Sequence, residues 1–175
     1  MEELERRIRL LIDKEEIREL LSVHARALDR HDSDDLRETY HYDAWESHGA
    51  FRGPARDFAS RSGDEHAAFC KSHLHHLSNH TIDVEGDRAH VETYFLAGLL
   101  RKDGITEMVG GRYIDRLERR EGRWAIAERA CIVEWNGELR ATSSPFDKES
   151  FLQGRWDDQD LSYQRPLRLT GMSRT

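Results

Sequence analysis

GRYIDRLERREGRW, Gly111 to Trp124, is the stretch on which the fold turns. Residues 105–119 read as a strand and Arg123 to Trp135 as another, with Glu121-Gly122 as the hairpin turn between them. The pair Gly110-Gly111 interrupts the first of these strands and predicts a bulge or sharp bend. Upstream, residues 73–85 alternate and end in the turn Glu85-Gly86-Asp87. Arg88 to Arg101 alternates again, with Ala89, Val91, Thr93, Phe95 and Ala97 on one face, and Lys102-Asp103-Gly104 turns the chain. Consecutive long strands joined by short turns predict an antiparallel sheet.

The N-terminal part has a different period. Leu4, Ile8, Leu11 and Ile12, then Ile17, Leu20, Leu21, His24, Ala25 and Leu28, recur at helical spacing, which predicts a helix over residues 3–30 with a bend near Asp13. His31-Asp32-Ser33 breaks it, and Asp32 or Ser33 caps a short second helix from Asp34 to Tyr40. Asp43 to Phe51 reads as extended, ending in the turn Arg52-Gly53-Pro54. Residues 55–72 read as a third helix with Phe58, Ala67, Ala68 and Phe69 as its apolar side. Helices followed by a meander define an α+β domain, residues 1–138. From about Leu139 the chain is polar and irregular, and residues 139–175 read as an extension packing on the body or on a neighbouring subunit.

The 175 residues suffice for one domain with a core. Charged residues make up 35% and are mixed in sign, and the net charge of −7 argues against a nucleic-acid partner. No apolar run approaches the ~18 residues of a membrane span. The opening MEELERRIRLLIDKEE lacks the apolar centre of a signal peptide. Cys70 and Cys131, with no CxxC, read as reduced thiols in a cytoplasmic protein.

Three segments carry a family resemblance: LLIDKEEIRELLSVHARALDRHDSDDLRETYHYDA, HHLSNHTIDVEGDRAHVETY and GGRYIDRLERREGRWAIAERACIVEW. Over residues 8–137 the chain resembles the SnoaL-like branch of the NTF2-like superfamily, which includes scytalone dehydratase, hexachlorocyclohexane dehydrochlorinase and bile-acid 7α-dehydratase. The resemblance implies a cone in which N-terminal helices pack on a strongly bent antiparallel sheet. It also implies a homodimer or homotrimer. It does not fix the chemistry, because one fold hosts many functions.

The candidate site begins in KSHLHHLSNH, Lys71 to His80, which holds four of the ten histidines. On a strand His73, His75, Leu77 and Asn79 share one face, and Leu74, His76, Ser78 and His80 the other. In the resembling lyases an acid in the motif matched by Leu28-Asp29-Arg30 pairs with a strand histidine. In the dehydrochlorinase that histidine lies four residues before an asparagine. Here that is His75, with His76 in its place if the strand carries a bulge. Asp29 otherwise reads as a surface acid at a helix C-terminus, although an acid there opposes the helix dipole. A neutral imidazole backed by a carboxylate is a usable base near neutral pH.

The last strand shows one face of Ala125, Ala127, Arg129, Cys131 and Val133. A lone guanidinium among small apolar residues reads equally as a structural ion pair or as an electrostatic stabiliser, the role that the resemblance implies for Arg129. His24 lies five residues before Asp29, where relatives carry tyrosine or lysine. It reads as a proton donor or as a partly buried helix histidine. His48, in Glu46-Ser47-His48-Gly49, and His76 are the candidate substrate contacts. His73-Leu74-His75 could present two imidazoles to a metal, with His48, Glu46 or Glu92 as the third ligand. However, the next acid after His75 is Asp83 and no HExxH occurs, so no metal or cofactor is assigned. The expected function is a cofactor-independent lyase, dehydratase- or dehydrohalogenase-like, for a small cyclic, aromatic or steroid-like substrate. The alternatives are a ketosteroid-isomerase-like isomerase and a non-catalytic small-molecule-binding module. No nucleic acid or membrane partner is expected.

Overall fold

The computed structural model describes residues 1–140 and 151–169. The chain runs α1 (Glu2–Arg30), α2 (Ser33–Glu38), β1 (Tyr40–His48), β2 (Phe51–Pro54), α3 (Ala55–Phe69), β3 (Cys70–Glu85), β4 (Arg88–Arg101), β5 (Thr106–Arg120) and β6 (Arg123–Leu139). One turn of 3-10 helix, Leu161–Tyr163, follows in the extension. The fold class is α+β, with the three helices on a curved six-stranded sheet ordered β2-β1-β6-β5-β4-β3.

The hairpin predicted from GRYIDRLERREGRW pairs Arg120 with Arg123 and Gly111 with Val133, and its register shifts between Gly110 and Gly111. The two glycines are there for proximity. A Cβ on Gly110 would lie 2.3 Å from the Trp135 ring, and one on Gly111 would lie 2.1 Å from the Ile132 carbonyl oxygen. β3 to β6 form the expected antiparallel meander, but β6 runs to Leu139 because its last residues pair back to Thr106. The sheet is mixed rather than wholly antiparallel, since β1 lies parallel to β6 and pairs His48 with Cys131.

The helical half differs in three respects. α1 is continuous through Asp13, which is buried and accepts hydrogen bonds from Arg119 and, at 3.2 Å, from Trp124 Nε1. The expected turn Arg52-Gly53-Pro54 is instead strand β2, and the chain reverses at Gly49-Ala50 with Gly49 at φ 61°. α3 stops at Phe69 and buries Ala55, Phe58, Ala59 and Ser62 rather than Ala67, Ala68 and Phe69. That set has the i, i+3, i+4, i+7 spacing of one helix face. Asp32 caps α2, accepting from the Asp35 N–H at 3.0 Å.

The main core joins Ile17, Leu21 and Leu28 of α1 to Leu36, Phe58, Ile82, Val91, Leu117, Trp124 and Ile126. A second apolar cluster, Phe95, Ala97 and Tyr113 with Leu77, Leu99, Val109 and Cys131, lines the same face of the sheet further along. Among the described residues no helix is long and apolar enough to cross a membrane.

Candidate active site

Asp29 sits one residue before the end of α1, and it is only 7% exposed because it continues the buried Leu21, Ala25, Leu28 stripe. His75 lies on β3, the edge strand, so its backbone N–H has no strand partner on the open side. Asp29 supplies one: Oδ2 accepts that N–H at 3.0 Å, while Oδ1 accepts the ring Nδ1–H at 2.7 Å. The two bonds together fix the position and tautomer of His75 and leave Nε2 with its lone pair. Burial works against the charge of Asp29, but the close approach of the His73 ring and the hydrogen bonds and charge of His75 outweigh it and hold the carboxyl at about 2. The carboxylate is therefore an anion at any working pH.

Asp29 and His75 line a pocket of about 410 Å³ between α1, β3 and the C-terminal extension. Ala25, Leu74 and Leu77 give it apolar wall, and Arg26, Asp160 and Ser162 give it polar rim. The dyad is thus reached at the sheet edge.

His73 shares the inner face of β3 with His75 and is 1% exposed. Its Nδ1 lies 3.2 Å from Asp29 Oδ1 but out of line for a hydrogen bond, so it has no partner. Its Nε2 lies 2.8 Å from His31 Nε2. His66 of α3 stacks on His73 at 4.3 Å and Trp156 of the extension stacks on His31 at 4.0 Å. Burial, then the neighbouring His73, pushes both His31 and His66 down to about 4, so both rings are neutral. α3 comes this close because Gly63 has no side chain; a Cβ there would lie 3.1 Å from His31 Cβ.

A second buried network lies alongside. Tyr40 donates its hydroxyl hydrogen to Glu46 Oε2 at 2.9 Å, so its oxygen accepts from His24 Nε2 at 2.8 Å. Arg129 Nη1 lies 3.0 Å from His24 Nδ1 and 2.9 Å from Nε2, and because Nε2 carries the hydrogen given to Tyr40, Nδ1 is the acceptor. Burial, then the Arg129 charge, pushes His24 well below its usual range and keeps it neutral. Arg129 also makes a bidentate pair with Asp115, 2.7 Å on each arm, and its guanidinium lies 4.4 Å from the Tyr113 ring centre. His48 donates from Nδ1 to the fully buried Glu46 at 3.1 Å and stacks on Phe58.

The structure therefore brings Asp29 and His75 together, and groups His24, Arg129 and His48 in the adjoining network. His76 joins neither. It is exposed on the outer face, because the two register shifts of β3, between Cys70 and Ser72 and between Leu77 and His80, leave the alternation from His73 to His76 unbroken. Sequence reasoning passed over Asp115 and His66, took Tyr40 for a wall or core aromatic, and weighed Glu46 as a metal ligand. His31 was read only as a helix break. Asp115 was within reach, since it alternates with Tyr113 and Leu117 in the deciding segment. His66 carried no signal, because the helix end that places it was set three residues too late.

The comparisons agree with this architecture. A family model described as SnoaL-like domain matches residues 9–130. A scytalone dehydratase-like protein from Novosphingobium aromaticivorans DSM 12444 superposes with a TM-score of 0.67 at 21% identity, covering 77% of this chain and 92% of that one. Hexachlorocyclohexane dehydrochlorinase LinA-type3 from Novosphingobium barchaimii LL02 superposes at 0.68 with 16% identity, covering 74% and 91%. The LinA structure gives 0.70 at 18% identity, covering 84% and 99%. At these identities the likeness is one of fold. No curated protein matches the sequence.

Proposed function

This chain belongs to the SnoaL-like domain family, and from that premise we propose that it is a cofactor-independent lyase, dehydratase- or dehydrohalogenase-like, acting on a small cyclic or aromatic molecule. The observation that carries this reading is the double clamp of Asp29 on His75, 2.7 Å to the ring and 3.0 Å to the backbone. A base must be held in one tautomer with a free lone pair, and the clamp supplies both. His75 Nε2 takes a proton from carbon, Asp29 stabilises the imidazolium, and the leaving group departs from the neighbouring carbon. Catalysis of this kind needs no group beyond the side chains.

Arg129 adds a fixed positive charge, although Asp115 neutralises much of it. His24 is neutral with its N–H committed to Tyr40. It therefore acts as a positioning residue that ties Arg129 to Tyr40, unless substrate entry frees that N–H to serve as the proton donor. His48 lies outside the lining of the pocket beside the dyad and is held by Glu46 in the adjoining network.

The test is turnover on a panel of cyclic alcohols, chlorinated cyclohexanes and enones, followed by product analysis. His75→Ala and Asp29→Asn should each lower kcat by about 10² to 10⁴ with the fold intact by circular dichroism. Full activity in His75→Ala would remove the base assignment. Ligand binding without turnover in the unaltered chain would identify a binding module instead.

A further inference from the structure

We propose that Asp29, His73 and His75 together bind one divalent transition-metal ion, of the zinc or iron(II) class. His73 and His75, two apart on β3, send their imidazoles to the same face. Sequence spacing offered His48, Glu46 or Glu92 as the third ligand, but the fold supplies Asp29 from α1. The three donor atoms lie within 4.8 Å of one another. His75 Nδ1 is 2.7 Å and His73 Nδ1 is 3.2 Å from Asp29 Oδ1. Ligands bound at ~2.1 Å and adjacent around one ion lie ~3 Å apart, so these separations are close to those of a shared ion.

An independent observation points the same way. Among the described residues His73 Nδ1 is the one buried side-chain nitrogen or oxygen with no hydrogen-bond partner. Its other nitrogen faces His31 Nε2 at 2.8 Å, and one hydrogen lies between the two. If that hydrogen is on His73, Nδ1 presents a lone pair to a carboxylate oxygen 3.2 Å away with no positive charge between them. If it is on His31, His73 carries a buried Nδ1–H that bonds to nothing. A cation held by Nδ1 removes the first conflict. It also selects that tautomer, with the His73 Nε2–H donated to His31. A metal-bound histidine commonly donates its second N–H in this way to an outer partner. His31 is itself held by the Trp156 ring at 4.0 Å.

The donor set narrows the ion. Two imidazoles and one carboxylate suit zinc, iron, nickel or copper and do not suit magnesium or calcium. The pocket lined by Asp29 and His75 gives the ion a route in. Three protein ligands leave at least one coordination position for water or another small ligand.

This inference goes beyond the lyase reading and does not need it. An ion on His75 Nδ1 displaces the hydrogen shared with Asp29 and leaves Nε2 protonated, so the metal-loaded and proton-transferring forms exclude each other. Zinc should therefore suppress whatever elimination the metal-free chain performs.

The test uses the full chain stripped with a chelator and titrated with Co²⁺ by visible absorption and with Zn²⁺ by calorimetry. One ion per chain is expected, with d–d bands of a nitrogen- and oxygen-ligated cobalt, and no comparable uptake of Mg²⁺. His73→Gln and Asp29→Asn should weaken binding by at least about 100-fold, and His31→Gln, which leaves all three ligands in place, by about 10- to 100-fold. The exposed His90→Ala should bind as the unaltered chain does. Failure of the chain to take up one ion, or equal uptake by His73→Gln and His31→Gln, would overturn the site. Turnover measured on the metal-free chain reports on the lyase reading separately.

Discussion

Arg129 and Asp115 are 3% and 0% exposed, and each is the other's charge partner. Burial works against the Arg129 charge, and the Asp115 carboxylate overrides it and holds the guanidinium protonated. Removing one member leaves a buried charge alone, which costs more than the pair contributes. Arg129→Met is expected to lower unfolding free energy by about 3–5 kcal/mol in urea titration, and adding Asp115→Leu should recover most of the loss. No recovery in the double variant would show that the arginine is needed for more than pairing. His48 gives the pH test. Burial alone would lower it, but contacts with Cys131 and Glu46 raise it to about 9. The imidazolium–Glu46 pair therefore stabilises fully below the unfolded value of about 6.5, and that stability is lost as pH rises through 9. Melting temperatures from pH 6.5 to 9.5 should fall more steeply in the unaltered chain than in His48→Gln; parallel curves would contradict the pairing. Asp29 and His75 were legible as a pair through the family resemblance; local spacing put His75 on one strand face with His73 but by itself read Asp29 as a surface acid at a helix end. The partnership of Glu46 with Tyr40 and His48 was not, although all three lie on β1, because the sequence reading ended the second helix at Tyr40 and began the extended segment only at Asp43.

At the scale of elements, the deciding hairpin works through what Gly110 and Gly111 lack. The bend at this point lets β6 cross close to β5 and lets Phe95 pack beneath. A Cβ on Gly111 would meet backbone at 2.1 Å and the Phe95 ring at 2.7 Å, and backbone cannot swing aside as a side chain can. Gly111→Ala is expected to cost about 1–3 kcal/mol in unfolding free energy and to broaden amide signals across Phe95, Tyr113 and Val133. Stability within about 0.5 kcal/mol of the unaltered chain would mean that the strand relaxes freely there. The meander was readable because alternation and turns are local properties, and so its four strands emerged in order. Helix α1 was readable for the same reason, but spacing alone left open whether its first turns are covered. Leu4, Ile8, Leu11 and Ile12 follow helical spacing and yet remain 46–66% exposed. Periodicity reports which face is apolar and not whether anything covers it.

On the whole-molecule scale, the extension closes back onto the end of α1 beside the pocket. Asp160 is the knot: Oδ2 accepts from Arg30 Nη1 at 3.0 Å and from the Arg155 N–H at 2.8 Å, and Oδ1 accepts from the Ser162 N–H at 2.9 Å. Burial opposes its charge, and these donors outweigh burial and keep it strongly acidic. Tyr163 adds a bond to Asp32 at 2.8 Å, the same carboxylate that caps α2. The body keeps its core without these contacts, so the extension should open locally, ahead of global unfolding. Asp160→Asn retains the shape and removes the charge, and a hydrogen bond to a charged partner contributes about 1.5–3 kcal/mol. Where opening is fast relative to cleavage, the cleavage rate follows the open population. Trypsin should then cut at Arg155 or Arg168 about 10- to 100-fold faster in the variant, read by mass spectrometry, while the main melting transition moves little. Equal cleavage in both chains would mean that the extension is held by Trp156 on His31 rather than by Asp160, and Trp156→Ala would then reproduce the fast cutting.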